Sequence, residues 1–158
     1  ERLAVYRPLV PVGRADVGFL PGDLNSKMEP WVRPLIDVVQ EFYSTKEIKY
    51  MLEEQIIEIA PLAFCRGRNF KNAFIILDEA QNATPSQLKM LMTRIGLGSK
   101  IVITGDIEQT DRKTIDNGIY DLINRLEKKP KTGIDVCKFE TKDIRRHPII
   151  ESVLDLYN

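Results

Sequence analysis

Two short apolar runs, each followed directly by polar or acidic side chains, constrain the fold of this chain more than any other feature. The first run, residues 74–77, leads into Asp78 and Glu79, and the second, residues 101–103, leads into Thr104. Unbroken apolar runs of this length are typical of parallel strands, because a parallel sheet is covered on both faces. The sequence therefore predicts two strands deep in a sheet, with polar groups at the carboxyl edge, where ligands bind.

The rest of the chain alternates strand-like and helical patterns. Strands are predicted at residues 3–6, 56–60, 73–78, 100–104 and 134–139. Apolar residues at helical spacing predict four helices, which include residues 35–42, 88–95, 119–126 and 150–157. This alternation predicts an α/β fold with a parallel sheet flanked by helices.

The helix around residues 88–95 has recognisable start and stop signals. Thr84 is a typical N-cap, Pro85 suits the first helical position, and Gln87 completes a capping box. Gly96 is predicted to end this helix.

Three segments lack a regular pattern. Residues 8–30 contain four prolines and three glycines, so we predict a long loop there, and loops of that length are usually functional. Residues 61–72 form a basic loop with Arg66 and Arg68 between two predicted strands. Residues 128–133 are predicted to be a solvated turn.

The composition is that of one soluble domain. The chain has 158 residues, with 23 basic and 23 acidic side chains and 43% hydrophobic residues, which argues against disorder and against nucleic-acid binding driven by bulk charge.

Cys65 and Cys137 are far apart in the sequence and match no metal-binding pattern, so two reduced thiols are expected. No apolar run is long enough to cross a membrane. We expect a cytoplasmic protein.

The segment FIILDEAQN, residues 74–82, predicts a magnesium and phosphate site. Two adjacent carboxylates at a buried strand end are costly unless a positive group compensates them, and magnesium with a polyphosphate would do so. Asp78 could hold the hydrated metal while Glu79 polarises an attacking water. The alternative is that both residues only begin the next turn.

A second segment, IVITGDIEQTD at residues 101–111, would bring polar groups to the same place. Its strand ends in Thr104, Gly105 and Asp106, and Gln109 follows three residues later. Gly105 would let the backbone approach a ligand, and Gln109 could hydrogen-bond a terminal phosphate or its attacking water. Taken alone, a segment of this kind forms an ordinary turn more often than a site.

Both segments belong to a series of blocks that resembles one known family. The blocks, in chain order, are RPLV, GFLPGDL, EPWVRPL, IEIAPLAFCRGR, FIILDEAQN, LKMLMTRIG, GSKIVITGDIEQTD and DIRRHPII. Their order is similar to that in the PhoH family of phosphate-starvation-inducible, ATP-binding proteins, and the resemblance covers nearly the whole chain. The family in turn resembles superfamily 1 helicases, which implies a P-loop NTPase core of the RecA and helicase type.

The resemblance also implies roles for particular residues. The DEAQ sequence resembles a Walker B motif, and GDIEQ resembles the third helicase motif. Asp78 would then be the magnesium-associated carboxylate and Glu79 the catalytic one. Gln81 and Gln109 would sense the terminal phosphate.

The chain departs from the family in lacking a phosphate loop. The pattern G-x-x-x-x-G-K-[ST] does not occur, and Gly96–Lys100 has the wrong glycine spacing and lies between a helix and a strand in the wrong order. In the family this loop precedes the block that begins here near Leu3. We therefore expect residues 1–158 to be a single PhoH-like ATPase domain without its phosphate-loop segment, and a sheet that lacks one central strand.

Several arginines are candidates to bind the nucleotide phosphates, since charge on a transferred phosphoryl group needs positive partners. They are Arg66, Arg68, Arg94, Arg145 and Arg146. If the protein forms a ring-shaped homo-oligomer such as a hexamer, as the resemblance implies, one of them could act across a subunit boundary. Each could instead be an ordinary surface residue. His147, the single histidine, is expected to be structural.

Single-stranded RNA is the expected partner, since helicase-like cores hold a strand by phosphate contacts and aromatic stacking. Groups of both kinds occur in or beside the two irregular loops, at Arg7, Arg14, Phe19, Trp31, Phe64, Arg66 and Arg68. Phe19 and Trp31 could instead anchor the long loop to the core.

The sequence thus favours a Mg²⁺-dependent ATPase that acts on RNA. Two alternatives stay open. One is a nucleotide- or RNA-binding module that does not hydrolyse ATP. The other is a nuclease in which Asp78, Glu79 and Asp106 bind metal directly.

Overall fold

The computed structural model describes residues 1–9, 24–107, 116–129, 133–140, 143, 149–150, 153 and 156, with the backbone alone for residues 24–31. The chain divides into two compact units, Glu1–Arg125 and Leu126–Asn158. The first unit contains a sheet of four strands, β1 (Arg2–Arg7), β2 (Ile57–Pro61), β3 (Ala73–Leu77) and β4 (Lys100–Ile103). The helices are α1 (Leu24–Gln40), α2 (Thr45–Glu53), α3 (Pro85–Met92) and α4 (Gly118–Lys128).

All pairs of neighbouring strands are parallel, in the order β2-β1-β3-β4. The predicted α/β fold with a parallel sheet flanked by helices is therefore confirmed. In the register, Ala4 lies beside Ile75 and Tyr6 beside Leu77, so these side chains share one face of the sheet. All four are fully buried.

That face carries the main core. Leu88 and Leu91 of α3 and Ile119 of α4 belong to the same cluster of buried apolar residues. The opposite face is less covered. Phe74 of β3 is 44% exposed on that face, although Val5 of β1 is buried there.

The start of α3 is as predicted. The Thr84 hydroxyl accepts a hydrogen bond from the Gln87 backbone N–H at 3.2 Å, and Gln87 Oε1 accepts one from the Thr84 N–H at 2.9 Å. The predicted end at Gly96 is wrong, since the helix ends at Met92. The next residues instead pair with Phe70, whose carbonyl accepts a bond from the Gly96 N–H at 2.6 Å.

Two helices differ from the sequence prediction. Helix α1 begins at Leu24, inside the predicted loop of residues 8–30, and continues through Pro30 and Pro34. Residues 10–23 of that loop lie outside the described part. Helix α2 was not predicted, although Ser44 and Glu47 form a capping box at its start.

Strand β4 is less buried than its apolar sequence predicts. Ile101, Val102 and Ile103 are only partly buried, because β3 is the one described strand that pairs with β4. The predicted position of residues 101–103 deep in the sheet is thus not observed among the described strands.

The strand predicted at residues 134–139 is wrong. This segment has no strand pairing with any described residue, and Val136 and Phe139 are 47% and 83% exposed. Apolar residues favour a strand only where a neighbouring strand supplies hydrogen bonds. In the last predicted helix, Ile150 and Val153 have helical backbone, whereas Leu154 and Tyr157 lie outside the described residues.

Among the described helices, none combines the length and the apolar character that a membrane span requires.

Candidate functional site

The carboxyl ends of β3 and β4 meet at one edge of the sheet. The hydrogen-bond ladder continues past both strands, with the Thr104 N–H donating to the Leu77 carbonyl and the Ala80 N–H donating to the Thr104 carbonyl, each at 2.9 Å. On the other side of β3, the Asp78 N–H donates to the Tyr6 carbonyl at 2.9 Å. The two predicted motifs are therefore adjacent, and their polar residues form one site.

Asp78 is held from both sides. Its Oδ1 accepts a hydrogen bond from the Thr104 hydroxyl at 2.9 Å. Its Oδ2 accepts one from Arg7 Nε at 2.8 Å and lies 2.5 Å from Arg7 Nη2. About a quarter of the Asp78 side chain is exposed. Arg7, predicted to contact RNA, is thus in contact with the predicted magnesium carboxylate.

Glu79 has an unusual backbone conformation. Its φ and ψ are 55° and 39°, in the left-handed region that residues other than glycine rarely adopt. Such a conformation costs about 1 kcal/mol and is often found at functional sites. The residue is exposed, and its Oε2 accepts a hydrogen bond from Gln81 Nε2 at 2.7 Å.

Gln81 connects the loop after β3 with the loop after β4. It is only 2% exposed, and its Oε1 accepts a hydrogen bond from the Asp106 N–H at 3.2 Å. The two loops are so close that a Cβ atom added to Gly105 would lie 2.8 Å from Gln81 Oε1. A side chain at position 105 would therefore disturb this contact, whereas the predicted approach of a ligand at Gly105 stays a prediction.

The oxygen atoms at this edge fit a hydrated magnesium ion. Mg²⁺ usually keeps several waters and takes one or two carboxylates together with substrate phosphates. Asp78, with the Thr104 hydroxyl beside it, offers such a carboxylate. Within the described residues, no three His, Cys, Asp or Glu side chains lie close enough together to hold a metal ion by themselves.

The predicted arginines do not all lie at this edge. Arg66 is exposed and lies five residues beyond β2, whose carboxyl end is at the same edge of the sheet as Asp78. Arg94 lies near the opposite edge, because its carbonyl accepts a bond from the N–H of Phe70, which precedes β3. Gln109, Arg145, Arg146 and His147, like Arg14 and Phe19 of the long loop, lie outside the described residues, as does the side chain of Trp31.

Arg68 belongs to a polar cluster on a face of the sheet. Its guanidinium forms a two-pronged ion pair with Glu58 of β2, with Nη2 2.7 Å from Oε2. Arg68 also donates to the Tyr6 hydroxyl at 2.9 Å, and that hydroxyl donates to Glu58 Oε1 at 2.8 Å. The guanidinium carbon lies 5.2 Å from the centre of the Phe70 ring. These contacts make Arg68 a structural residue in this conformation.

The cluster changes the pKa values of its members. Burial raises the pKa of Tyr6, and it raises the pKa of Cys65 to about 12, so this thiol stays protonated near neutral pH. Burial also acts to raise the pKa of Glu58, but the hydrogen bonds from Arg68 and Tyr6 outweigh it, and the pKa of Glu58 is lowered. Neither cysteine of the chain is in a disulfide.

Glu58 should make the protein sensitive to acid. A carboxylate whose pKa is lowered by folding stabilises the folded state above its unfolded pKa, about 4.3, and this stabilisation is lost as the pH falls through the folded pKa. We expect the wild type to lose more free energy of unfolding than Glu58→Gln between pH 5 and pH 3. Urea titrations across this range measure the difference. As a control, Glu54→Gln, at the exposed position directly after α2, should keep the wild-type slope; equal slopes for all three proteins would contradict the expectation.

Glu58 was not among the residues that the sequence predicted to be important. A charged residue within the strand sequence IEIAP is the available signal, because a buried carboxylate needs a positive partner. Its partner is ten residues away, beyond a turn, and the sequence pattern does not identify it.

Comparison with known proteins agrees with the motif analysis. A family model described as "PhoH-like protein" matches residues 1–158. A PhoH-like protein of Synechocystis is 43% identical over 157 residues, which are 99% of this chain and 47% of the relative. A PhoH-like protein of Bacillus subtilis is 41% identical over 100% of this chain and 49% of the relative. Protein PhoH of Escherichia coli is 38% identical over 100% of this chain and 45% of the relative. The chain thus spans about half the length of these curated relatives.

Proposed function

The chain belongs to the PhoH family, and on this premise we propose that it carries the catalytic edge of a Mg²⁺-dependent ATPase that acts on single-stranded RNA in the cytoplasm. One observation carries the proposal. After β3, Asp78 accepts a hydrogen bond from Thr104 and Gln81 accepts one from the Asp106 N–H, both after β4, and Gln81 in turn donates to Glu79. Phosphoryl transfer depends on positioning and electrostatic stabilisation, and this arrangement supplies fixed groups for both.

Asp78 is the residue that would hold hydrated Mg²⁺. When bound, the ion supplies positive charge to the phosphate oxygens of ATP. Thr104 and Arg7 orient the Asp78 carboxylate, since each donates a hydrogen bond to a different one of its oxygens.

Glu79 is the residue that would accept a proton from the attacking water. Its carboxylate is exposed at the sheet edge, while its backbone is fixed by the turn that follows, in which the Asn82 N–H donates to the Glu79 carbonyl at 3.0 Å. A general base must lie within hydrogen-bond reach of the water it deprotonates. An exposed carboxylate beside the proposed magnesium residue is accessible to such a water.

The proposed ATPase also needs a phosphate loop, and none of the four described strands leads into one. Strand β4 has an apolar sequence suited to an internal strand, yet its outer edge is unpaired among the described strands. A phosphate-loop strand that paired with this edge would bring its loop beside Thr104 and Gly105. The proposal therefore places the ATP phosphates between that loop and the site.

RNA would lie along the same edge of the sheet. Phe64 is 48% exposed and Arg66 is exposed, and both follow the carboxyl end of β2. An aromatic ring and a nearby cation are the two groups that sequence-independent binding of single strands requires. A ring-shaped oligomer, in which one subunit's arginine reaches the next subunit's nucleotide, is part of the same proposal.

The contacts of Asp78 and Glu79 disfavour a metal-dependent nuclease. Such an enzyme would need Asp78, Glu79 and Asp106 to bind metal directly. In the structure, Asp78 is paired with Arg7 and Thr104, and Glu79 accepts a hydrogen bond from Gln81.

The proposal is tested by phosphate release from ATP, using the protein expressed from its complete reading frame. We expect release that requires Mg²⁺, stops with excess EDTA, and increases severalfold with single-stranded RNA. A parallel incubation of labelled RNA without ATP should show no cleavage. Nucleotide binding without release would favour the binding module, and cleavage of RNA without ATP would favour the nuclease.

A further inference from the structure

Gln81 occupies a position that sensing of a phosphate does not explain. Both polar atoms of its amide are used inside the protein, since Nε2 donates to Glu79 and Oε1 accepts from the Asp106 N–H. The side chain is 2% exposed. A group that contacts a ligand needs accessible atoms, and this side chain has almost none.

We infer that Gln81 is a positioning residue, which directs the Glu79 carboxylate and ties it to the loop after β4. The inference rests on the proposed function, because the direction of Glu79 matters to activity only if Glu79 acts on a water molecule. It gives Gln81 a role that differs from the predicted contact with the terminal phosphate.

The need for such a residue follows from the exposure of Glu79. An exposed glutamate samples several rotamers, and only some of them would direct its carboxylate toward a given water. The 2.7 Å hydrogen bond from a buried amide selects one direction. Gln81 can fix that direction because it is itself buried and held by the Asp106 N–H.

The same contacts couple the two loops. A displacement of the backbone at Gly105 or Asp106 would press on Gln81 Oε1 or withdraw its hydrogen-bond donor, and Gln81 would then move the Glu79 carboxylate. Thr104 lies in the same loop and bonds to Asp78. A ligand that moved this loop would therefore reorient both proposed active-site carboxylates together.

Two substitutions at position 81 separate these links. Gln81→Met removes both hydrogen bonds at nearly constant volume. Gln81→Glu keeps an oxygen that accepts from the Asp106 N–H but removes the donor to Glu79. Gln40→Met, at an exposed position near the end of α1, is the matched control. A thermal unfolding experiment on each variant would test whether it is folded.

Steady-state ATP hydrolysis by the protein from its complete reading frame is the first measurement. We expect kcat to fall about 10- to 100-fold in both Gln81 variants, because misplacing a catalytic group by about 1 Å can reduce the rate by that much. The KM for ATP should stay within about threefold of the wild type, and Gln40→Met should match the wild type. A raised KM for ATP with kcat retained, or unchanged kinetics, would overturn the inference.

Hydrogen exchange at the Asp106 amide is the second measurement and does not depend on activity. Exchange should be at least about tenfold faster in Gln81→Met, whereas Gln81→Glu should stay near the wild type. Unchanged exchange in the Met variant would refute the link between the loops. A wild type that releases no phosphate would refute the proposed function instead, and the exchange experiment would still decide whether Gln81 joins the two loops.

Discussion

Replacing Glu79 by Gln should lower the rate of ATP hydrolysis by about 10²- to 10⁴-fold, the range usual for loss of a general base. A neutral amide cannot accept the proton of the attacking water. The change should leave the fold intact, because the new amide oxygen can still accept the hydrogen bond from Gln81 Nε2 that Glu79 accepts now. Phosphate release at saturating Mg²⁺ and ATP measures the loss.

Two controls isolate the chemistry of Glu79 from its conformation. Glu54→Gln, an equivalent change at an exposed helix end, should keep the wild-type rate. Glu79→Gly removes the backbone strain, because glycine adopts a φ of 55° freely, yet it should be as inactive as Glu79→Gln, since it also lacks the carboxylate. An active Glu79→Gln variant would remove Glu79 from the proposed mechanism.

The sequence predicted β1 to β4, the sheet edge and the start of α3, because each depends on local information. An apolar run followed by Asp78 predicts a buried strand with a carboxylate at its end, and β3 has that structure. The capping box at Thr84 is complete within four residues. Features of this kind need no knowledge of which strands are neighbours.

The contacts of the arginines depend on strand neighbours, and local patterns could not predict them. Arg7 reaches Asp78 across 71 residues because β1 lies beside β3. Arg68 reaches Glu58 and Tyr6 because β2 lies on the other side of β1. A basic loop sequence is compatible with both a phosphate site and an internal ion pair, and only the register of the sheet distinguishes them.

Apolar patterns failed in two opposite ways, since they missed helix α2 and predicted a strand at residues 134–139 that is not observed. Helix α2 has nine residues and buries only Ile48, so its apolar pattern is too weak to predict a helix, even though a capping box marks its start. Residues 134–139 have enough apolar residues for a strand, but Phe139 is 83% exposed and no described strand pairs with them. Burial, which decides both cases, is a property of the folded chain.

Phe70 shows how strongly the basic loop depends on packing, and Phe70→Ala should reduce the free energy of unfolding by about 4 kcal/mol. The side chain is fully buried, and its ring packs edge-on against Tyr6 with 5.7 Å between the ring centres. The guanidinium carbons of Arg2 and Arg68 lie 5.4 and 5.2 Å from the same ring centre. Truncation would leave a cavity and remove the aromatic partner of both cations.

The chain contains a matched control for this prediction four residues away. Phe74 is 44% exposed, on the less covered face of β3, so Phe74→Ala should cost about 1 kcal/mol or less. Urea unfolding of the two variants, in the protein from its complete reading frame, measures the difference. Equal losses would mean that Phe70 does not anchor the loop. A large loss confined to Phe70→Ala would instead show that this buried ring anchors the loop. Because Arg68 of the same loop is paired with Glu58, Arg66 is the described arginine of this loop that is exposed to bind phosphate.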